Sequence, residues 1–223
     1  MNDLNLLKSK ALDVHKRLIG LYGERVNSDP SDPIDELVLT VLSQNTNDVN
    51  RDKAYAEMIQ RFPTWDDVMS ASEDEMVDAV RIAGLANQKG PRIQNILRQI
   101  KSERGELSLE FLKEFEADDA SRWLTKFKGV GPKTAAIVLQ FALEIPAFPV
   151  DTHVYRITGR VGLRPEKMNV EKAHKYLESV FEPDTYYAAH LNIITLGRQT
   201  CHARKPKCEE CPLQSICDYR KAN

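Results

Sequence analysis

The 223-residue chain has no cysteine before position 201 and no apolar run near the ~20 residues that a membrane span needs. Its start, Met1-Asn2-Asp3-Leu4-Asn5, carries neither the basic region nor the apolar stretch of a secretory leader. A cytosolic protein with no membrane partner is therefore expected. Period-2 strand pairs, Asn-Gly hairpins, internal repeats and low-complexity linkers are also missing, which removes β-sandwiches, solenoids and flexible arrays. Hydrophobic residues make up 42% and charged residues 29%, values that exclude a disordered chain and allow a real core.

What is present is helical periodicity. Leu4, Leu7, Ala11, Val14 and Leu18 recur at three- and four-residue steps, predicting an amphipathic first helix that ends near Gly23. Asp32-Pro33 reads as an N-cap followed by a first-turn proline. Ser72 to Glu75 reads as a capping box opening Met76 to Ala83, with Gly84 placed to stop that helix. Further helices are expected near Val49–Phe62, Pro91–Arg104, Asp118–Phe127, Lys133–Leu143, Thr152–Val161, Val170–Val180 and Tyr187–Leu196. The fold class is all-α.

Net charge is −2, but its distribution is uneven. Between Asn27 and Asp78 stand thirteen acids against Arg51, Lys53 and Arg61. Between Arg122 and Arg164 stand seven bases against Glu144 and Asp151. Such segregation suits a positive face for a polyanion, and it suits ordinary solvated helix faces equally well.

The cysteines are Cys201, Cys208, Cys211 and Cys217, spaced C-x6-C-x2-C-x5-C. Disulfides are disfavoured in a reducing compartment. Structural zinc remains open, although zinc sites usually pair two short chelating loops and only Cys208 and Cys211 form one here. Four thiolates from one compact loop suit a 4Fe-4S cluster better. Arg204, Lys205 and Lys207 lie between the first two cysteines, where they can offset thiolate charge or grip phosphate.

Gly129-Val130-Gly131-Pro132-Lys133-Thr134 joins two helical stretches. Two glycines around an apolar residue allow a tight turn with open amides at a helix start, a natural seat for phosphate. The same turn can serve packing alone. Lys133 falls in the first helical turn, where the dipole and partial burial would lower its pKa and free a nucleophilic amine. Further on, Pro149 blocks one helix and Asp151 is placed to cap the next, where amide donors keep its carboxylate ionised. Such a carboxylate can stabilise positive charge developing on a sugar carbon, or be only a cap.

In this order, these features resemble the helix–hairpin–helix DNA glycosylases, specifically the iron–sulfur endonuclease III family. The residues that carry the likeness are Gly129 to Ala135, then Val150-Asp151-Thr152-His153, then the four cysteines. Leu42 to Asp48 looks like the family's early helix end, and Gly84-Leu85-Ala86 like its later loop. The departure is Pro132, where many relatives carry a basic residue before the lysine; this weakens one possible phosphate contact and does not touch the nucleophile.

The resemblance implies two helical domains with DNA in the cleft between them. A six-helix barrel carrying the hairpin would span 24–146, and 1–23 with 147–223 would form the iron–sulfur domain. Lys133 would attack C1′ of an extruded nucleotide and form a Schiff base, with Asp151 stabilising the sugar cation and helping to deprotonate the lysine. Gln44 would fill the vacated hole and Leu85 would wedge beside the estranged base, although each also reads as an ordinary helix-end or core residue. Gly129, Val130 and Gly131 would hold the DNA backbone through amides, with charge added by Arg204, Lys205 and Lys207. The implied partner is duplex DNA with damaged bases or abasic sites, the cofactor a 4Fe-4S cluster, the state a monomer in the bacterial cytosol or nucleoid. The implied activity is excision of oxidised pyrimidines with abasic-site lyase action. The rivals are a mismatch-directed glycosylase of the same superfamily and a non-catalytic DNA-binding iron–sulfur protein.

Overall fold

The computed structural model describes residues 3–222, and among them every regular element is helical. The helices are α1 Asp3–Tyr22, α2 Pro33–Leu42, α3 Asp48–Arg61, α4 Trp65–Ser70, α5 Glu73–Ala79, α6 Ala86–Arg104, α7 Ala117–Thr125, α8 Pro132–Ile137, α9 Thr152–Val161, α10 Val170–Val180, α11 Tyr186–Gln199 and α12 Asp218–Ala222. None is long and apolar enough to cross a membrane.

Local sequence explains most of the boundaries. The Asp32 carboxylate accepts from the Ile34 and Asp35 amides and starts α2, with Pro33 in the first turn. Ser72 and Glu75 close a reciprocal capping box at α5. That helix stops at Ala79, and a short 3-10 turn over Arg81–Ala83 delivers the chain to Gly84 at φ +69°. Two departures from expectation bear on the site. Helix α6 begins at Ala86, so Pro91 lies inside it and does not open it. The stretch expected to be one helix from Lys133 to Leu143 is the short α8 followed by a π-helical turn over Val138–Ala142. Such wide turns often occur near functional sites.

The chain divides into two compact units, Pro30–Leu143 and a second built from Met1–Asp29 with Glu144–Asn223. Residues 24–29 and 144–146, given to the barrel by the sequence expectation, lie in the second unit. The continuous unit holds α2 to α8 around buried Leu37, Val41, Met58, Leu97, Leu124 and Leu139. The second unit packs α1 residues Ala11, Val14 and Leu18 with Phe148, Ile157, Leu177 and Ile193. Leu213 and partly buried Cys201, Cys211 and Cys217 join that core, tying the cysteine loop to it.

Candidate active site

The hairpin between α7 and α8 turns at Gly129, whose φ of +91° few side chains tolerate. A Cβ there would stand 2.2 Å from Nε of Arg92, so glycine also admits that guanidinium. Val130 is buried and its amide donates to the Phe127 carbonyl at 3.0 Å. It cannot offer that amide to phosphate without undoing the turn, against the expectation that it holds the DNA backbone. Gly131 is extended and precedes Pro132, which starts α8. Lys133 is therefore in the first turn, as expected, but its side chain is exposed and not partly buried.

Two further loops of the same unit carry Gln44 and Leu85. Gln44 follows α2, beside Asn45 at φ +53°. Its Nε2 donates to the Gly129 carbonyl at 3.0 Å, and its Oε1 accepts from Nη1 of Arg92 at 2.8 Å. Leu85 adopts φ +52°, ψ +32°, a left-handed conformation costly for leucine, and is 47% exposed. The core-leucine alternative does not fit that exposure. The roots of both loops meet at Lys89, which is 1% exposed and donates to the carbonyls of Leu42 and Ala83, each at 2.7 Å. Burial lowers the Lys89 pKa from its ordinary value, with the Arg92 charge adding to the effect. Neither Lys89 nor Arg92 stood out in the sequence, because a helical lysine or arginine reads as solvated and their partners are remote in the chain.

Asp151 belongs to the second unit and caps α9, its Oδ1 accepting from the Val154 amide at 2.7 Å. Below it on α9, Arg156 donates to the carbonyls of Cys201 and Gly197. Arg160 donates to the His202 and Ala203 carbonyls and lies 3.3 Å from Sγ of Cys201. Arg164 is buried, stacked on the Tyr155 ring at 3.5 Å and bonded to the Tyr155 carbonyl. These three arginines are spent inside the protein and do not form the open positive face that the charge count allowed.

Cys201, Cys208, Cys211 and Cys217 line one cavity, together with Arg160, Lys207 and Tyr219. Burial raises the Cys211 thiol pKa, and the other three cysteines raise it further by proximity of charge. Among the described residues no three His, Cys, Asp or Glu side chains close on a single metal ion. Four cysteines of one loop lining a shared cavity are a donor set that fits an iron–sulfur group. The basic residues of the loop divide. All three are exposed; Lys207 lines that cavity and pairs with Glu210 at 3.7 Å, whereas Arg204 and Lys205 lie outside its lining.

Comparison with known proteins agrees with this geometry. Residues 38–183 match the family model described as HhH-GPD superfamily base excision DNA repair protein, and residues 201–217 match the iron–sulfur binding domain of endonuclease III. The Arabidopsis thaliana protein At3g47830, a DNA glycosylase by name, is 34% identical over 218 residues, 93% of this chain and 74% of its own. Endonuclease III of Thermotoga maritima is 32% identical over 193 residues, 86% of each chain. An endonuclease III solved as a trapped covalent intermediate with DNA aligns with a TM-score of 0.82 at 25% identity, over 96% of this chain and 97% of that one. The hairpin, the four-cysteine loop and the likeness along nearly the whole chain place it together with these proteins: it belongs to the HhH-GPD superfamily of base excision DNA repair proteins.

Proposed function

We propose that this endonuclease III-like base excision repair glycosylase removes oxidised pyrimidines from duplex DNA and then cleaves the abasic strand as a lyase. The observation that carries the reading is Lys133, an exposed amine at the first turn of a helix that follows a Gly-x-Gly hairpin. A glycosidic bond inside a duplex is hidden, so the damaged nucleotide is extruded. Gln44 takes the vacated place and Leu85 wedges against the unpaired partner, an exposed apolar group on a fixed loop. Lys133 Nζ attacks C1′ and the base departs with the bonding electrons. Asp151 stabilises the cationic sugar and accepts a proton from the lysine. The C1′–O4′ bond then breaks: O4′ takes a proton and stays on C4′ as a hydroxyl, and the lysine nitrogen lone pair forms the C1′=N Schiff base. It acidifies the C2′ proton, and elimination expels the 3′ phosphate. A duplex containing thymine glycol tests this: base release, strand cleavage and a borohydride-trapped complex are expected together. Base release with neither cleavage nor trapping would instead indicate a monofunctional, mismatch-type enzyme.

The four cysteines hold a 4Fe-4S cluster. Bound there, it would cross-link a loop that Arg156, Arg160 and Leu213 already tie to the rest of the unit. Anaerobically prepared protein is expected to be yellow-brown, with broad absorbance near ~400 nm and about four irons per chain. Stoichiometric zinc without iron would overturn the assignment.

Exposed Arg204 and Lys205 are read as phosphate contacts, and Lys207 as charge compensation at the cysteine cavity. Converting Arg204 and Lys205 to Ala is expected to shrink the slope of log affinity against log salt by up to ~0.9 per lost contact, on damaged and undamaged duplex alike. Lys207→Ala is expected to leave the slope and lower iron retention. The reverse pattern would exchange the two roles.

A further inference from the structure

Gln44 is not free in this protein. Both ends of its amide are occupied, Nε2 by the Gly129 carbonyl and Oε1 by the Arg92 guanidinium. Arg92 in turn lies flush against Gly129, where any Cβ would collide with it. The backbone beneath is pinned, because buried Lys89, one turn earlier on α6, holds the Leu42 and Ala83 carbonyls at the roots of both loops. Lys89 fixes where the two loops stand, and Arg92 fixes which way the Gln44 side chain points. A half-buried side chain on a pinned backbone can swing without loop movement.

We propose that Arg92 is a positioning residue that docks Gln44 on the hairpin in the DNA-free enzyme, so that the glutamine gives up two hydrogen bonds before it enters DNA. This rests on the reading of Gln44 as the residue that fills the vacated base's place. Where a hole exists, the orphaned base offers the amide new donors and acceptors, and the exchange is near balance. Where the stack is intact, release leaves the Gln44 amide and the Gly129 carbonyl without those partners. With an intact stack Gln44 therefore stays docked, and with a hole its insertion carries the cost of undocking, so the dock lowers affinity for a duplex with a hole through a residue that contacts no base.

The test is a double-mutant cycle on the full-length holoprotein, using Arg92→Met, Gln44→Ala and the double variant. Methionine keeps a long stem against Gly129 and removes the donor. The first readout is melting of the free protein. The two single losses should be non-additive, and additive losses would mean the dock is not formed. The second is affinity for a duplex with a tetrahydrofuran abasic analogue, against the undamaged duplex. Arg92→Met removes a positive charge in either background, so the comparison between backgrounds isolates what acts through Gln44. Its effect on tetrahydrofuran binding should be at least ~fivefold more favourable with Gln44 present than in the Gln44→Ala background, as expected from releasing a charge-assisted hydrogen bond. An equal effect in both backgrounds would overturn the proposal, because Arg92 would then act on DNA directly. Equal wild-type affinity for the two duplexes would sink the reading of Gln44 itself, and the dock's role with it, while the melting cycle still reports whether the contact exists.

Discussion

Lys133→Gln is expected to reduce borohydride trapping and strand cleavage to background, a loss of ~10³-fold or more, while duplex affinity stays within a few-fold. Glutamine has similar length and removes only the amine. On the proposed reading phosphate contacts are spread over hairpin amides and loop bases, so binding should survive the loss of one cation. The helix start should also tolerate the change, since Lys133 is exposed and Pro132 with Gly131 sets the turn. Removing a cation from the positive end of α8 favours the fold slightly. Trapping that persists in the variant would place the nucleophile elsewhere.

Asp151→Asn separates the cap from the charge. Asparagine accepts from the Val154 amide nearly as well as aspartate, so α9 and its arginine contacts to the cysteine loop should hold, with unchanged melting and iron content. Base excision is expected to fall by ~10²-fold or more, because a preorganised negative charge no longer faces the cationic sugar. A pre-formed abasic site needs no base expulsion and should suffer less. Equal losses on both substrates would assign Asp151 to proton transfer or Schiff-base formation; an unchanged excision rate would leave it as a cap alone.

What was legible in the sequence was local. The first helix, the Asp32 cap, the Ser72 box and the Asp151 cap each rest on partners within four residues, and each is found where the spacing puts it. Helix α4 escaped because it has six residues, too few for periodicity, and its box closes Thr64 with Asp67 in place of the usual Glu or Gln. Pro91 misled because first-turn proline is a common helix signal, yet here it sits further inside. The site divided along the same line. The hairpin and the four cysteines were readable as motifs. The hold of Lys89 on two carbonyls, the grip of Arg92 on Gln44 and the spending of Arg156, Arg160 and Arg164 on distant loops were not. Their partners are brought near only by the fold.

The second unit is made from both ends of the chain. Lys10 of α1 bonds Asp218 across a separation of 208 residues, and Lys8 reaches Glu182 across 174. During synthesis α1 emerges first, yet most of its apolar partners emerge last, after the whole of the continuous unit has passed. Pro30–Leu143 can collapse on its own core while the ribosome is still at work. The amphipathic face of α1 must wait, exposed, for α9 to α11, and the cysteines arrive later still. Loading of the cluster is thus a late event in the life of the chain, coupled to closure of a core whose first helix was made long before.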